Sequence, residues 1–274
     1  DLPHHATFFF SPRLGAVMTH NFDPTILREY DVRGTVGKTL NEADAYALGR
    51  TFAALATDEG ARRLAVGRDG RTHSPVLQAE LVRGLIEGGI GVIDIGIGPS
   101  PMLYFAVSTL GVQGGIQVTG SHNPPEYNGF KLLLNGRSVF GEEIQKLGRR
   151  AADGDWSEGL GTVEHVEILD AYVDRLVQGF RGNAYRIGWD AGNGVAGPVL
   201  EKLVLRVAKH VAEGTVDFQP TPFRTDERHS VRRMPEGVAE SFFARPERVL
   251  GVHSSADVPD QPQDCPLSLK DDWH

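Results

Sequence analysis

From Asn41 onward the apolar positions fall into short blocks of two kinds, separated by polar turns. Ala45, Leu48, Phe52 and Leu55 recur at helical spacing behind Asn41, a residue suited to capping a helix start, and Gly60 closes the run. Leu64-Ala65-Val66-Gly67 is a continuous apolar run of strand length, followed by the polar loop Arg68-Asp69-Gly70-Arg71-Thr72-His73. Ser74 is placed to cap a second helix, with Pro75 in its first turn and Leu77, Leu81 and Leu85 on one face, and Gly88-Gly89 stops it. The next strand is predicted over 92–95. Ser100-Pro101 starts a helix that ends near Gly111, and two further strands follow at 116–118 and 130–134 with a polar loop between them. Residues 141–150 and 166–180 read as helices, 186–190 as a strand and 195–205 as a helix.

Strands alternating with helices through short Gly/Pro loops predict an α/β domain: a mixed, mostly parallel sheet with helices on both faces. The expected layout is an appendage over 1–18, a first domain over 19–180 and the start of a second α/β domain over 181–205. Residues 206–274 form an irregular tail, where prolines from Pro220 to Pro266 recur without caps or sustained apolar periodicity. Ligands of such sheets sit beyond the carboxyl ends of the strands, which selects the loops after Gly67, Ile95 and Val118.

Composition narrows the class. The 274 residues are 40% hydrophobic and 23% charged, enough apolar material for a sizeable core. A net charge of −8 argues against a nucleic-acid partner. Cys265 is the one cysteine, which excludes an internal disulfide framework and fits a reducing, cytoplasmic setting. No run of ~18 uncharged apolar residues is present, so no membrane span is expected. The apolar patch Phe8-Phe9-Phe10 is shorter than the apolar core of about 7–15 residues in a secretion signal.

The loop after Val118 carries the densest chemistry: Thr119-Gly120-Ser121-His122-Asn123-Pro124-Pro125-Glu126-Tyr127-Asn128-Gly129-Phe130-Lys131. Gly120 allows close backbone approach, the two prolines stiffen the far side, and Lys131 returns on the next strand. A hydroxyl, an imidazole, an amide and an ammonium are thus gathered on one rim. This set suits phosphoryl transfer through Ser121, with cations and a metal offsetting the charge on the phosphoryl oxygens. A plain turn, in which Ser121 and Asn123 only satisfy backbone groups, fits the pattern equally well. A Ser–His–acid hydrolase fits less well, because the nucleophile elbow needs glycine where Thr119 and Asn123 stand.

This loop resembles the active-site serine loop of the α-D-phosphohexomutases, the phosphomannomutase/phosphoglucomutase family. Three more segments agree in order: Tyr30-Asp31-Val32-Arg33-Gly34, Gly67-Arg68-Asp69-Gly70-Arg71, and Asp190-Ala191-Gly192-Asn193-Gly194-Val195-Ala196-Gly197. The resemblance covers roughly residues 19–205. It implies that Ser121 is a phosphoserine that gives its phosphoryl group to a hexose phosphate and takes another back, moving phosphate between O1 and O6 through a bisphosphorylated sugar. It further implies that His122 and Lys131 serve proton transfer and charge stabilisation, and that Tyr30, Arg33 and Asn123 face the substrate. Arg68 and Arg71 are divided between phosphate contact and loop ion pairs. Mg²⁺ held through the Ser121 phosphate, and glucose 1,6-bisphosphate or mannose 1,6-bisphosphate as activator, complete the implied set.

Three family signals have no counterpart here. The Asp-x-Asp-Gly-Asp-Arg metal loop is absent, since Asp257 and Asp260 lack its spacing. The Gly-Glu-x-Ser-Gly-His sugar loop is absent, since Ala239-Glu240-Ser241-Phe242 lacks the glycine and histidine, and the Arg/Ser/Thr-rich phosphate clamp is absent too. The expectation is a shortened gene with an out-of-frame or chimeric tail, inactive or impaired alone. The non-catalytic alternative is a mutase-derived fragment or sugar-phosphate binder. A further alternative, NAD-binding oxidoreduction, rests on Gly192-x-Gly194-x-x-Gly197, which satisfies the dinucleotide fingerprint.

Overall fold

The computed structural model describes residues 18–180, 189–192 and 194–212. After a 3₁₀ turn at Pro24–Ile26, the chain runs β1 (Val32–Thr35), α1 (Glu42–Asp58), β2 (Arg63–Arg68), α2 (Ser74–Glu87), β3 (Gly91–Ile97), α3 (Ser100–Thr109), β4 (Gly114–Val118) and β5 (Tyr127–Leu134). It continues through β6 (Arg137–Ser138), α4 (Glu142–Asp153), β7 (Val163–His165), α5 (Leu169–Val177) and α6 (Gly197–Ala212).

The strands form one sheet in the order β1-β5-β4-β2-β3-β7, with β6 paired to β5. The β2–β3, β2–β4 and β3–β7 pairs are parallel; β5 is antiparallel to both β4 and β1. All strands on the main path except β5 therefore run the same way. Both faces are covered, because successive strand residues point to opposite sides. Leu64, Val66, Val92, Ile116, Val118, Phe130 and Leu132 face α1, α2 and α4, burying Leu48, Phe52, Leu81, Leu85, Ile144 and Leu147 with them. On the other face Ala65, Ile93 and Ile95 meet Met102, Leu103 and Ala106 of α3, Tyr172 and Val173 of α5, and Val199 of α6.

Asn41 caps α1 as the sequence predicts: its side chain accepts from Ala43 N and Asp44 N, and Asp44 reciprocates on Asn41 N at 2.8 Å. Ser74 does not cap α2. His73 occupies the cap position without a side-chain cap bond, and the Ser74 hydroxyl goes instead to Asp69 at 2.5 Å, a tertiary partner that local pattern cannot announce. The strands β1, β6 and β7 are not foreseen, being short, and β6 and β7 are solvent-exposed. Helix α6 starts two positions after Val195 and runs on to Ala212, past Leu205 where the periodic reading stops. Three ion pairs, Lys202 with Asp170 at 2.8 Å, Arg206 with Asp170 at 2.6 Å and Arg206 with Asp174, hold α6 on α5. The expected appendage up to residue 17, residues 186–188 of the strand expected over 186–190 and the tail over 213–274 lie outside the described residues, and Trp189 and Asp190 are not in a strand.

Candidate active site

The serine loop is the connection between β4 and β5, leaving the sheet at the carboxyl end of β4. Backbone bonds pin its base: Thr119 N donates to Gly129 O at 2.9 Å and Asp69 N to Val118 O at 2.8 Å. Ser121 is exposed and takes φ of 53°, the left-handed region that a residue with a Cβ adopts only when its surroundings impose it. Its N–H donates to Thr119 Oγ1 at 2.9 Å.

The surroundings that impose this geometry come from the β2–α2 loop. The Arg71 guanidinium donates to four carbonyls of the serine loop: Ser121 at 3.1 Å, Asn123 at 2.6 Å, Pro124 at 2.6 Å and Tyr127 at 3.1 Å. Its Nε lies 3.3 Å from Asp69 Oδ2. Asp69 also accepts Gly120 N–H at 2.9 Å and Arg71 N–H at 3.0 Å. Burial pushes the Asp69 carboxyl up, but hydrogen bonds from Ser74, from the backbone of Arg71 and Gly120 and from Thr119 outweigh it, leaving the group below its ordinary value. Gly120 is needed because a Cβ there would stand 2.1 Å from Arg71 Nε. Arg71 is thus the clamp of the loop, with its donors turned onto backbone oxygens.

The structure places the other expected residues in three settings. His122 and Asn123 share the loop with Ser121. His122 Nδ1 is 3.4 Å from Ser121 Oγ, longer than a well-formed hydrogen bond, and Asn123 Nδ2 donates to Gly120 O at 3.2 Å. Tyr30, 75% exposed, and Lys131 line a common recess with Tyr104 and Ser138. The Lys131 side chain makes no hydrogen bond or ion pair among the described residues, and its Cα pairs with Gln117 on the α3 side of the sheet. Arg33 is buried: it binds Asp31 Oδ2 through Nε and Nη2 at 2.9 and 2.7 Å and supports Thr119 O at 3.2 Å from below the loop. Arg68 donates to Asp69 O at 3.3 Å. Sequence reading missed Asp69, Ser74 and Asn128 as organisers; the one available signal was their place in the two polar loops that follow adjacent strands.

Among the described residues no three His, Cys, Asp or Glu side chains stand together to hold a metal ion. The turn before α6 is closed by Gly192 N on Asp190 Oδ1 at 2.7 Å and Gly194 N on Ala191 O at 2.9 Å, and a Cβ on Gly70 of the β2–α2 loop would stand 3.3 Å from Val195 Cγ1. No helix of the described residues is long and apolar enough to cross a membrane.

The family description phosphoglucomutase/phosphomannomutase, alpha/beta/alpha domain I, matches residues 24–158. A phosphomannomutase/phosphoglucomutase of Pseudomonas putida is 41% identical over 181 residues, 66% of this chain and 39% of that protein. A Neisseria gonorrhoeae phosphoglucomutase is 42% identical over 196 residues, 69% of this chain and 42% of that protein. A crystal structure of a phosphoglucomutase/phosphomannomutase family protein from Burkholderia thailandensis superposes with a TM-score of 0.65 at 38% identity, over 68% of this chain and 43% of that one. The chain spans about two fifths of the length of the curated relatives it matches. Match, identity and superposition converge on the α/β unit that carries the serine loop: residues 24–158 form a domain I of the phosphoglucomutase/phosphomannomutase family.

Proposed function

We propose that this chain carries the phosphoryl-accepting half of a phosphohexomutase, the activity that interconverts hexose 1-phosphate and hexose 6-phosphate. The observation that carries the reading is Ser121: exposed, left-handed, and held at the tip of a loop clamped by Arg71 and Asp69. A strained, solvent-facing hydroxyl on an immobilised turn is a prepared nucleophile. In the transfer, Ser121 Oγ attacks phosphorus of a hexose 1,6-bisphosphate, the phosphorus–oxygen bond to the sugar breaks, and the serine proton leaves toward the departing sugar oxygen. His122 is the nearest base to that proton. Lys131, free of protein partners among the described residues, is the available cation for the phosphoryl charge, and Tyr30 shares its recess. Asn123 and Arg33 act on the backbone of the loop, so we assign them to its shape rather than to the sugar.

Mg²⁺ would offset phosphoryl charge beside Ser121. The described residues supply no cluster of His, Cys, Asp or Glu to hold it. A cytoplasmic setting, hexose phosphates as substrates and a hexose 1,6-bisphosphate as activator belong to the same proposal.

The test is incubation of the pure chain with glucose 1,6-bisphosphate and Mg²⁺, followed by intact mass. A phosphoryl adduct that disappears in Ser121→Ala is the expected result. An adduct that persists in that variant, or none in the wild type, overturns the assignment and leaves the non-catalytic fragment.

A further inference from the structure

The β2–α2 loop and the serine loop are joined by a run of hydrogen bonds whose direction is fixed from one end. Ionised Asp69 can only accept, so the Ser74 hydroxyl, 2.5 Å from Oδ1, directs its proton there. The Ser74 oxygen is then an acceptor for Asn128 Nδ2 at 2.8 Å. Asn128 is fully buried, and its Oδ1 takes Gly129 N–H at 2.8 Å, which fixes the orientation of the amide. The remaining Nδ2 hydrogen meets His73 Nδ1 at 2.8 Å. That nitrogen must present a lone pair, so the imidazole proton sits on Nε2, 3.0 Å from the Pro125 carbonyl. The run starts at Asp69, which also holds Gly120 N–H, and ends at Pro125. It therefore grips the serine loop on both sides of Ser121.

We infer that His73, as the neutral Nε2–H tautomer, is a positioning residue for Ser121. It takes the fixed amide of Asn128 on one ring nitrogen and sets the height of Pro125 with the other. Arg71 holds the same stretch through four carbonyls, and His73 adds Pro125 O, a carbonyl that Arg71 does not reach, tied back through Asn128 to Asp69. The link to phosphoryl transfer rests on Ser121 being the acceptor, whereas the tie itself does not.

Hydrogen exchange separates the two. The full chain is compared as wild type, His73→Ala, His73→Gln and His73→Asn, following the amides over 119–127 and, as reference, those of β3. Glutamine keeps a donor at the ε position for Pro125; asparagine keeps only an acceptor at the δ position for Asn128. We expect roughly three- to tenfold faster exchange in the loop for His73→Ala with β3 unchanged. Near-wild-type protection should return in His73→Gln but not in His73→Asn, and the rate of Ser121 phosphorylation by glucose 1,6-bisphosphate should follow the same order. Wild-type loop exchange in His73→Ala, or a glutamine variant no better than alanine, overturns the inference. So does a loss of protection spread equally over β3. If the exchange order holds while the wild type takes up no phosphoryl group, the tie stands and the acceptor assignment falls.

Discussion

A side chain at Ser121 sits where glycine is the easier residue, and Gly120 beside it sits where nothing larger fits. The left-handed turn at Ser121 stores about 1–2 kcal/mol for a residue with a Cβ. That strain is supported by bonds from Arg71 and Asp69 rather than by local preference. Gly120→Ala would drive its methyl into the Arg71 guanidinium, which cannot retreat without releasing four carbonyls. We expect it to destabilise the domain by about 2–3 kcal/mol and to abolish Ser121 phosphorylation, read by thermal unfolding and intact mass. Asp69 adds a pH signature. Its folded value is depressed, so its contribution is fully present above the unfolded carboxyl value of about 3.9 and is lost as pH falls through the lower, folded one. Asp69→Asn should therefore be less stable than wild type at pH 7, and the gap should narrow in denaturant titrations near pH 3. A gap independent of pH would count against this account.

At the scale of elements, α1 and α2 meet backbone to backbone. A Cβ on Gly49 would lie 2.3 Å from Leu81 O, and one on Gly84 2.3 Å from Tyr46 O. Gly49→Ala and Gly84→Ala should each lower stability by about 2–3 kcal/mol. The double variant should lose less than the sum, because one parting of the helices relieves both clashes; strict additivity in urea melts would refute a shared contact. Elements of this kind were legible in the sequence where apolar spacing and caps agree, as in Asn41 with Leu48 and Phe52, or in the run 64–67. The short strands β1, β6 and β7 were not: β1 and β7 are defined by partners far along the chain, such as Phe130 for Val32 and Val92 for Val163, and β6 is only two residues long. The site shows the same division. Ser121, His122 and Lys131 stand out by residue type and by family resemblance. The loop's supports do not, because an aspartate in a turn, a serine at a helix start and an asparagine near a strand start carry no shared signal until the fold turns them toward one another.

For the chain as a whole, a match to domain I over residues 24–158 stands beside a sequence in which the metal loop, sugar loop and phosphate clamp that the resemblance leads one to expect are not found. Acceptance of a phosphoryl group needs the serine loop; turning the sugar over and returning the group needs contacts that read both of its ends. The chain alone should thus form a phosphoserine from glucose 1,6-bisphosphate yet convert no glucose 1-phosphate into glucose 6-phosphate in a coupled assay. Sustained turnover by the pure chain would show that residues beyond 205 supply those contacts.

The reversed direction of β5 bears on how this site can change by insertion or deletion. Because the loop joins two adjacent antiparallel strands, its length sets which residue of β5 lies opposite Val118. A slip of one position would turn Lys131 into the core and bring Phe130 and Leu132 out to the other face. Single-residue deletions scanned through 121–126 should accordingly be far more damaging than conservative replacements at the same sites, leaving substitution as the route by which the neighbourhood of Ser121 diversifies.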